Sequence, residues 1–318
     1  MTRLARLGAD LHSGEVSYDF IGNRRTWYAT SGVLLLIALL ALTLVRLDLG
    51  VEFKGGAVLT VDTRSGTVEE ARDAVSGAGI QGAIVTQVND DRLRVTTRPL
   101  TEGESALLLD ALAQRFGVAP GDIDTQVVGA TWGERVTQKA LTGLLAFLVL
   151  VAFILTVFYA WRLALAALIA LLHDLVLTVG VYALLGLEVT PATVVGVLMV
   201  LTYSLYDTVV VFDKVRENTA PVASGDRAAY GAAANRAVNQ TVVRSLNTSL
   251  VALLPVVAML VVGGGVLGAG PLTDLAVVLV LGIAVGTYSS LFIATPLVFD
   301  LKRGERARSG RGWVRTRR

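Results

Sequence analysis

Residues 203–218 read Tyr203-Ser204-Leu205-Tyr206-Asp207-Thr208-Val209-Val210-Val211-Phe212-Asp213-Lys214-Val215-Arg216-Glu217-Asn218 and close a long apolar run that begins near Pro191. A run of about 20 such residues is long enough to cross a bilayer as a helix. Asp207 then lies inside that helix, with Asp213 and Lys214 at its exit. An aspartate at a helix centre costs about 2.5–3.5 kcal/mol on insertion scales. Residues that expensive usually belong to an ion or proton pathway, and that is the first expectation for Asp207.

The whole chain fits this reading. It has 318 residues, of which 53% are hydrophobic and 17% charged, and its mean hydropathy is +0.63. That composition excludes an ordinary soluble protein. Further runs of spanning length lie at 27–47, 138–160, 163–185, 191–213, 243–262 and 272–299, predicting an α-helical polytopic membrane protein with six spans. The first run is too long for a signal-peptide core and lacks a small-residue cleavage site, so it reads as a retained anchor.

Basic residues set the expected orientation. Arg3, Arg6, Arg24 and Arg25 precede the first span, and Arg162 separates the second from the third. Lys214, Arg216, Arg227 and Arg236 lie between the fourth and fifth. Residues 301–318 hold Lys302, Arg303, Arg306, Arg308, Arg311, Arg315, Arg317 and Arg318 against the single acid Glu305. Gly186-Leu187-Glu188 and 263–271 carry no Lys or Arg. Both termini are therefore expected in the cytoplasm. The predicted order is an N-terminal arm at 1–26, the first helix at 27–47, a folded extracytoplasmic domain at 48–135, a five-helix bundle at 138–299 with a cytoplasmic loop at 214–242, and a basic cytoplasmic tail at 300–318.

The net charge of +2 conceals a division. Segment 48–135 has eight Lys/Arg against 14 Asp/Glu, while the remainder has 20 against 12. A basic tail beside a membrane points to anionic lipids rather than nucleic acid. The absence of cysteine excludes disulfides, thiol nucleophiles and thiolate metal sites. With only His12 and His173 in the chain, no metal site or cofactor is expected.

Within 48–135 the pattern reads strand, helix, strand, strand, helix, strand. Strands are predicted at Ala57–Thr63, Gly82–Val88, Arg92–Thr97 and Ile123–Val128, with a turn at Asn89-Asp90-Asp91. Thr67-x-x-Glu70 and Thr101-x-x-Glu104 are capping boxes that open two helices, the first running to Ala78 and the second to Phe116. Leu108, Leu109, Leu112 and Phe116 fall at core spacing. The order βαββαβ is the ferredoxin-like split arrangement. No catalytic cluster stands out there, so the domain reads as a mechanical or adhesive lobe, and no enzymatic activity is expected.

Other polar residues gather near the spans. Tyr203, Ser204 and Asp207 share one face of their helix, and Thr193 and Gly196 continue it with small residues suited to close packing. The fifth apolar run starts with Gln240-Thr241-Val242-Val243-Arg244-Ser245-Leu246-Asn247-Thr248-Ser249, an unusually polar start. Asp207 lies roughly 9 Å inward of Asp213 at helical rise. Arg244 falls at a similar depth if its helix begins near Gln240, so an Asp207–Arg244 pair is expected. Burial and a nearby cation pull a carboxylate in opposite directions, the setting of a protonation switch. The alternative is a satisfied ion pair that only fixes packing. His173-Asp174, midway along the third run, offers either a proton relay or an interhelical hydrogen bond. Pro255 and Gly263–Gly270 offer a kink and a pliable turn.

Three stretches together resemble the SecD/SecF family of protein-export membrane proteins. Tyr203–Asn218 resembles its fourth-helix signature, and Asn239-Gln240-Thr241-x-x-Arg244-Ser245-x-x-Thr248-Ser249 its fifth-helix signature. Leu49-Gly50-Val51-Glu52-Phe53-Lys54-Gly55-Gly56 resembles its motif after the first helix. The likeness covers roughly residues 20–300. It implies a SecD partner with six related helices, in the manner of the resistance-nodulation-division superfamily, and a place in the bacterial plasma membrane. It also implies use of the proton gradient to move or release preproteins emerging from the SecYEG channel, after SecA has pushed them. Asp207 would carry the proton and Arg244 would modulate it. Tyr203, Ser204, Tyr206, His173, Asp174, Gln240 and Thr248 are accessory polar candidates.

The chain departs from the family pattern where Tyr206 replaces an asparagine, where Glu52 replaces an aspartate, and where Val128-Gly129-Ala130 lacks a proline. A non-coupling scaffold for SecD and the channel is the structural alternative. A lipid or drug exporter would need a larger outer domain, and an aspartyl protease built on Asp174 and Asp207 would need Gly-linked motifs that are not present.

Overall fold

The computed structural model describes residues 17–63, 66–89, 91–222, 226–266 and 270–302. Expectations for His12, Arg3, Arg6, Asp90, the middle of Gly263–Gly270 and the tail beyond Lys302 lie outside these residues.

Among the described residues six helices are long and apolar enough to cross a membrane: Arg24–Val45, Trp132–Phe158, Trp161–Leu185, Pro191–Thr219, Arg227–Gly263 and Pro271–Leu301. They are called spans one to six below. Spans three and six are the most buried, and spans one, two and five are the least. The polar positions therefore cluster around a centre made by spans three, four and six. Gly186, in a left-handed conformation at φ 62°, ends span three. Thr190 then opens span four through a capping box with Thr193, and Pro191 takes the first helical turn.

Spans four and five extend beyond their apolar runs, which corrects the expected loop at 214–242. Span four stays helical to Thr219, and span five begins at Arg227, capped by Asp226 accepting from the Ala229 amide at 2.9 Å. Alanine-rich sequence favours helix here, and tertiary burial fixes it. Ala234, Ala237 and Val238 pack with Val211, Val215 and Phe299. The segment before span one docks on this extension: Asn239 Oδ1 accepts from Tyr18 N, and Asn235 Oδ1 from Phe20 N, both at 2.8 Å.

Between spans one and two lies a four-stranded antiparallel sheet. Its strands are β2 (Gly56–Asp62), β3 (Ile84–Asn89), β4 (Arg92–Thr97) and β5 (Asp124–Val128), ordered β3-β4-β2-β5. Helices Val68–Gly77 and Glu102–Phe116 both open with the capping boxes read from the sequence. Alternation in β2 and β4 sends Leu59, Val61, Leu93 and Val95 inward against Leu108 and Leu112. Each buried leucine contributes about 1.5–3 kcal/mol.

Sequence patterning gave no hint of the seam between this domain and the spans. A two-residue strand β1 (Asp48–Leu49) pairs in parallel with β6 (Glu188–Val189), joining the end of span one to the turn between spans three and four. Arg94 of β4 approaches Glu188 at 3.8 Å. Burial pushes the Glu188 carboxyl above its usual range, against the opposing pull of Arg94.

Candidate functional site

Close approach of spans four and six creates the site. Gly282, Gly286 and Ser290 recur every four residues and so share one face of span six. A Cβ on Gly282 would lie 2.3 Å from both Val200 methyls, and one on Gly286 would lie 2.9 Å from Ser204 Cβ. Gly196, expected at a tight contact, would likewise meet Val278 at 2.2 Å. Small residues spaced in this way let helix backbones approach within a membrane. Span six then changes from α- to π-helical geometry at Ser290–Ala294. Such bulges re-aim side chains.

Asp207 is 3% exposed, and its carboxylate is held by hydroxyls. Ser245 of span five donates to Oδ1 at 2.7 Å, and Ser290 of span six donates to Oδ2 at 2.5 Å. Arg244 does not take this position. It is exposed, and it makes no ion pair among the described residues. Depth along the membrane was matched in the sequence reading, but azimuth was not. Successive helical residues point about 100° apart, so Ser245 faces inward and Arg244 faces out.

Asp174, fully buried on span three, is the second carboxylate of the centre. Ser204 of span four and Ser289 of span six both donate to its Oδ2, the latter at 2.7 Å. His173 Nδ1 lies 2.9 Å from its Oδ1. The His173 ring also stacks near Tyr288 at 6.2 Å between centroids, while its Nε2 is buried without a partner among the described residues. The accessory residues thus divide. Ser204, His173 and Asp174 form one cluster with the span-six serines. Tyr203 donates to Ser249 at 2.9 Å, and Ser249 and Thr287 share a hydrogen bond at 2.6 Å.

Three other candidates stand apart. Gln240 accepts from Asn218 at 2.9 Å and ties the extensions of spans four and five. Thr248 donates back to the Arg244 and Ser245 carbonyls within its own helix. Tyr206 is 56% exposed and faces away from the carboxylates.

Sequence reasoning did not single out Ser245, Ser289 or Ser290. The adjacent pair Ser289-Ser290 in an otherwise apolar run is a legible signal, because one polar side chain on each of two directions implies two buried partners. Among the described residues, the centre holds acids, hydroxyls and one imidazole, with no lysine or arginine bonded to either aspartate. Such a set can accept, hold and release a proton.

Comparison with known proteins matches this architecture. Residues 110–304 match the family described as "Protein export membrane protein SecD/SecF, C-terminal". The chain is 46% identical over 306 residues to the protein translocase subunit SecF of Streptomyces coelicolor, covering 96% of this chain and 82% of that one. It is 40% identical over 303 residues to the SecF of Mycobacterium tuberculosis, covering 92% and 69%. Among solved structures it is similar to SecDF, a translocon-associated membrane protein from Thermus thermophilus, at 30% identity and a TM-score of 0.80. That match covers 91% of this chain and 39% of the longer one. The six apolar spans and these relatives together identify a multi-pass helical membrane protein, and the chain belongs to the SecD/SecF family of protein-export membrane proteins, on its SecF side.

Proposed function

We propose that this chain is an accessory subunit of the bacterial Sec translocase. With SecD it uses the proton gradient to promote movement of preproteins through, or their release from, the SecYEG channel. The observation that carries this reading is Asp207, buried inside span four and held by two serine hydroxyls rather than by a cation. A carboxylate so placed can pass between charged and neutral forms without stranding a buried counter-ion. A proton descending the gradient yields about 2.3 kcal/mol per 100 mV, enough to bias a helix arrangement.

In this reading the domain between spans one and two is ferredoxin-like, lies outside the membrane and moves with the helices. Both termini lie in the cytoplasm, and the basic tail meets anionic lipids. Arg244 acts from the exposed face of span five toward SecD, and Tyr206 belongs to the surface that the partner covers. The chain makes and breaks no covalent bond in the transported polypeptide.

The test is Asp207→Asn in cells whose export depends on this chain, at matched membrane abundance. Export is expected to fall to that of cells lacking the chain. Full export by the variant, with failure only on deletion of the chain, overturns proton coupling through Asp207 and supports a scaffold.

A further inference from the structure

The two buried aspartates are built alike. Each is held by one hydroxyl from span six, and those hydroxyls belong to consecutive residues, Ser289 for Asp174 and Ser290 for Asp207. Span four supplies a second link, since Ser204 donates to Asp174 and lies one turn from Asp207 itself. The two sites are therefore joined on two helices by neighbouring residues.

The span-six serines share a further property. Ser289 Oγ has a second acceptor in the Gly286 carbonyl at 3.3 Å, and Ser290 Oγ has one in the Thr287 carbonyl at 3.1 Å. A hydroxyl carries one proton and rotates to suit its neighbours. When the carboxylate is ionised, the serine donates to it. When the carboxyl is protonated, its new O–H donates to the serine oxygen, and the serine turns its own proton to the backbone carbonyl. In either state the span-six hydroxyl and the carboxyl oxygen facing it stay paired, so titration of the acid does not add the cost of a lost hydrogen bond at that contact.

Resting on the export reading above, we propose that Asp174, with His173, is a second proton-binding station of this chain, coupled to Asp207 through the Ser289-Ser290 pair. In the uptake step a proton bonds to Asp174 Oδ2, Ser289 Oγ ceases to donate there, and its proton turns to the Gly286 carbonyl. In the release step the same bonds revert, and the proton leaves through a neighbouring hydroxyl or through His173. His173 suits this role. With Nδ1–H donating to Asp174, its Nε2 is a buried bare acceptor, so the pair holds one more acceptor than it needs for structure.

Among the described residues, the titratable groups near this station are few. Span three contributes His173, span four contributes Asp207 and Tyr203, and span six contributes Tyr288. Span one adds only a neutral hydroxyl, that of Ser31, which shares a hydrogen bond with the Tyr288 hydroxyl at 2.9 Å. Arg24, Arg227, Tyr28 and Asp300 are engaged with one another at the end of the bundle remote from the small domain. Arg244 is exposed on span five.

The test is infrared titration of the full chain in vesicles of phosphatidylethanolamine and phosphatidylglycerol. Subtracting the Asp174→Asn spectrum from that of the unaltered chain isolates one carboxyl. The expected result is a carbonyl band that converts to carboxylate as pH rises, with a midpoint displaced by about one pH unit in an Asp207→Asn background. Ser289→Ala, which keeps both acids, is expected to displace the same midpoint. It also serves as the readout if Asp174→Asn fails to fold. A single protonation state for Asp174 at every pH overturns the proposal, and so does a midpoint indifferent to Asp207→Asn. Both results are independent of the export assay. Asp174 can fail to titrate while Asp207→Asn abolishes export, and export can persist in Asp207→Asn while Asp174 titrates.

Discussion

Acids in the small domain and acids in the spans are held by different chemistry. Glu104 caps its helix from a half-buried position, with Arg98 at 2.6 Å and the amide and hydroxyl of Thr101 donating as well. Led by the Arg98 hydrogen bond, these donors hold its carboxyl down at about 2. Glu70 repeats the design with Thr67 and Arg115, and its carboxyl also lies below the usual range, chiefly through the Thr67 amide. Asp174 and Asp207 receive serines and one histidine instead. An arginine never gives up its charge and so commits its partner to staying ionised. Hydroxyls serve either protonation state. Structural acids receive cations, and the acids of the centre receive rotatable donors.

The largest expected effect comes from breaking the contact that makes the hydroxyl clasp possible. Gly286→Leu places a side chain where a bare Cβ already lies 2.9 Å from Ser204 Cβ. Spans four and six must separate, withdrawing Ser290 from Asp207. Overpacking of this kind costs about 1–3 kcal/mol, so thermal melting of the detergent-solubilised chain is expected to fall by several degrees. If Gly286→Leu melts like the unaltered chain, the clasp does not depend on helix approach.

A smaller effect separates the other half of the comparison. A carboxyl whose folded-state value is depressed contributes stability above its unfolded value and loses it as pH falls through the folded one. For Glu104 that interval runs from 4.5 down to about 2. Peptic cleavage within Glu102–Phe116 is expected to accelerate across it. Arg98→Met removes the largest cause, so acceleration is expected to begin at a higher pH. Identical pH profiles for the two chains would show that Arg98 does not hold Glu104.

The small domain was readable because its signals are local. Strand β4 lies at Arg92–Thr97 as alternation placed it, and both capping boxes form between residues three apart. The seam β1–β6 was not readable, because two-residue strands separated by 140 positions carry no pattern. Asp207 was legible from its insertion cost alone. Its serines were not, since a hydroxyl in an apolar helix is as often bonded to its own backbone, as Thr202 and Thr248 are. The length of span five was underestimated because hydropathy marks the part of a helix inside lipid. The burial of Ala234 and Ala237 marks the rest.

Arg244 gives the smallest expected effect on the fold and the sharpest test of what separates the two kinds of acid. Were it the partner of Asp207 within this chain, Arg244→Gln would leave a buried carboxylate short of its counter-charge. The structure instead leaves Arg244 exposed beside Ser245, where substitutions typically change stability by no more than about 0.5 kcal/mol. The melting of the isolated chain and the infrared signal of Asp207 are therefore both expected to be unchanged in Arg244→Gln. Export in cells is expected to fall if the proposed contact between the exposed face of span five and SecD exists. A shifted Asp207 signal in the isolated chain would restore the direct pair and place Asp207 in the same class as Glu104.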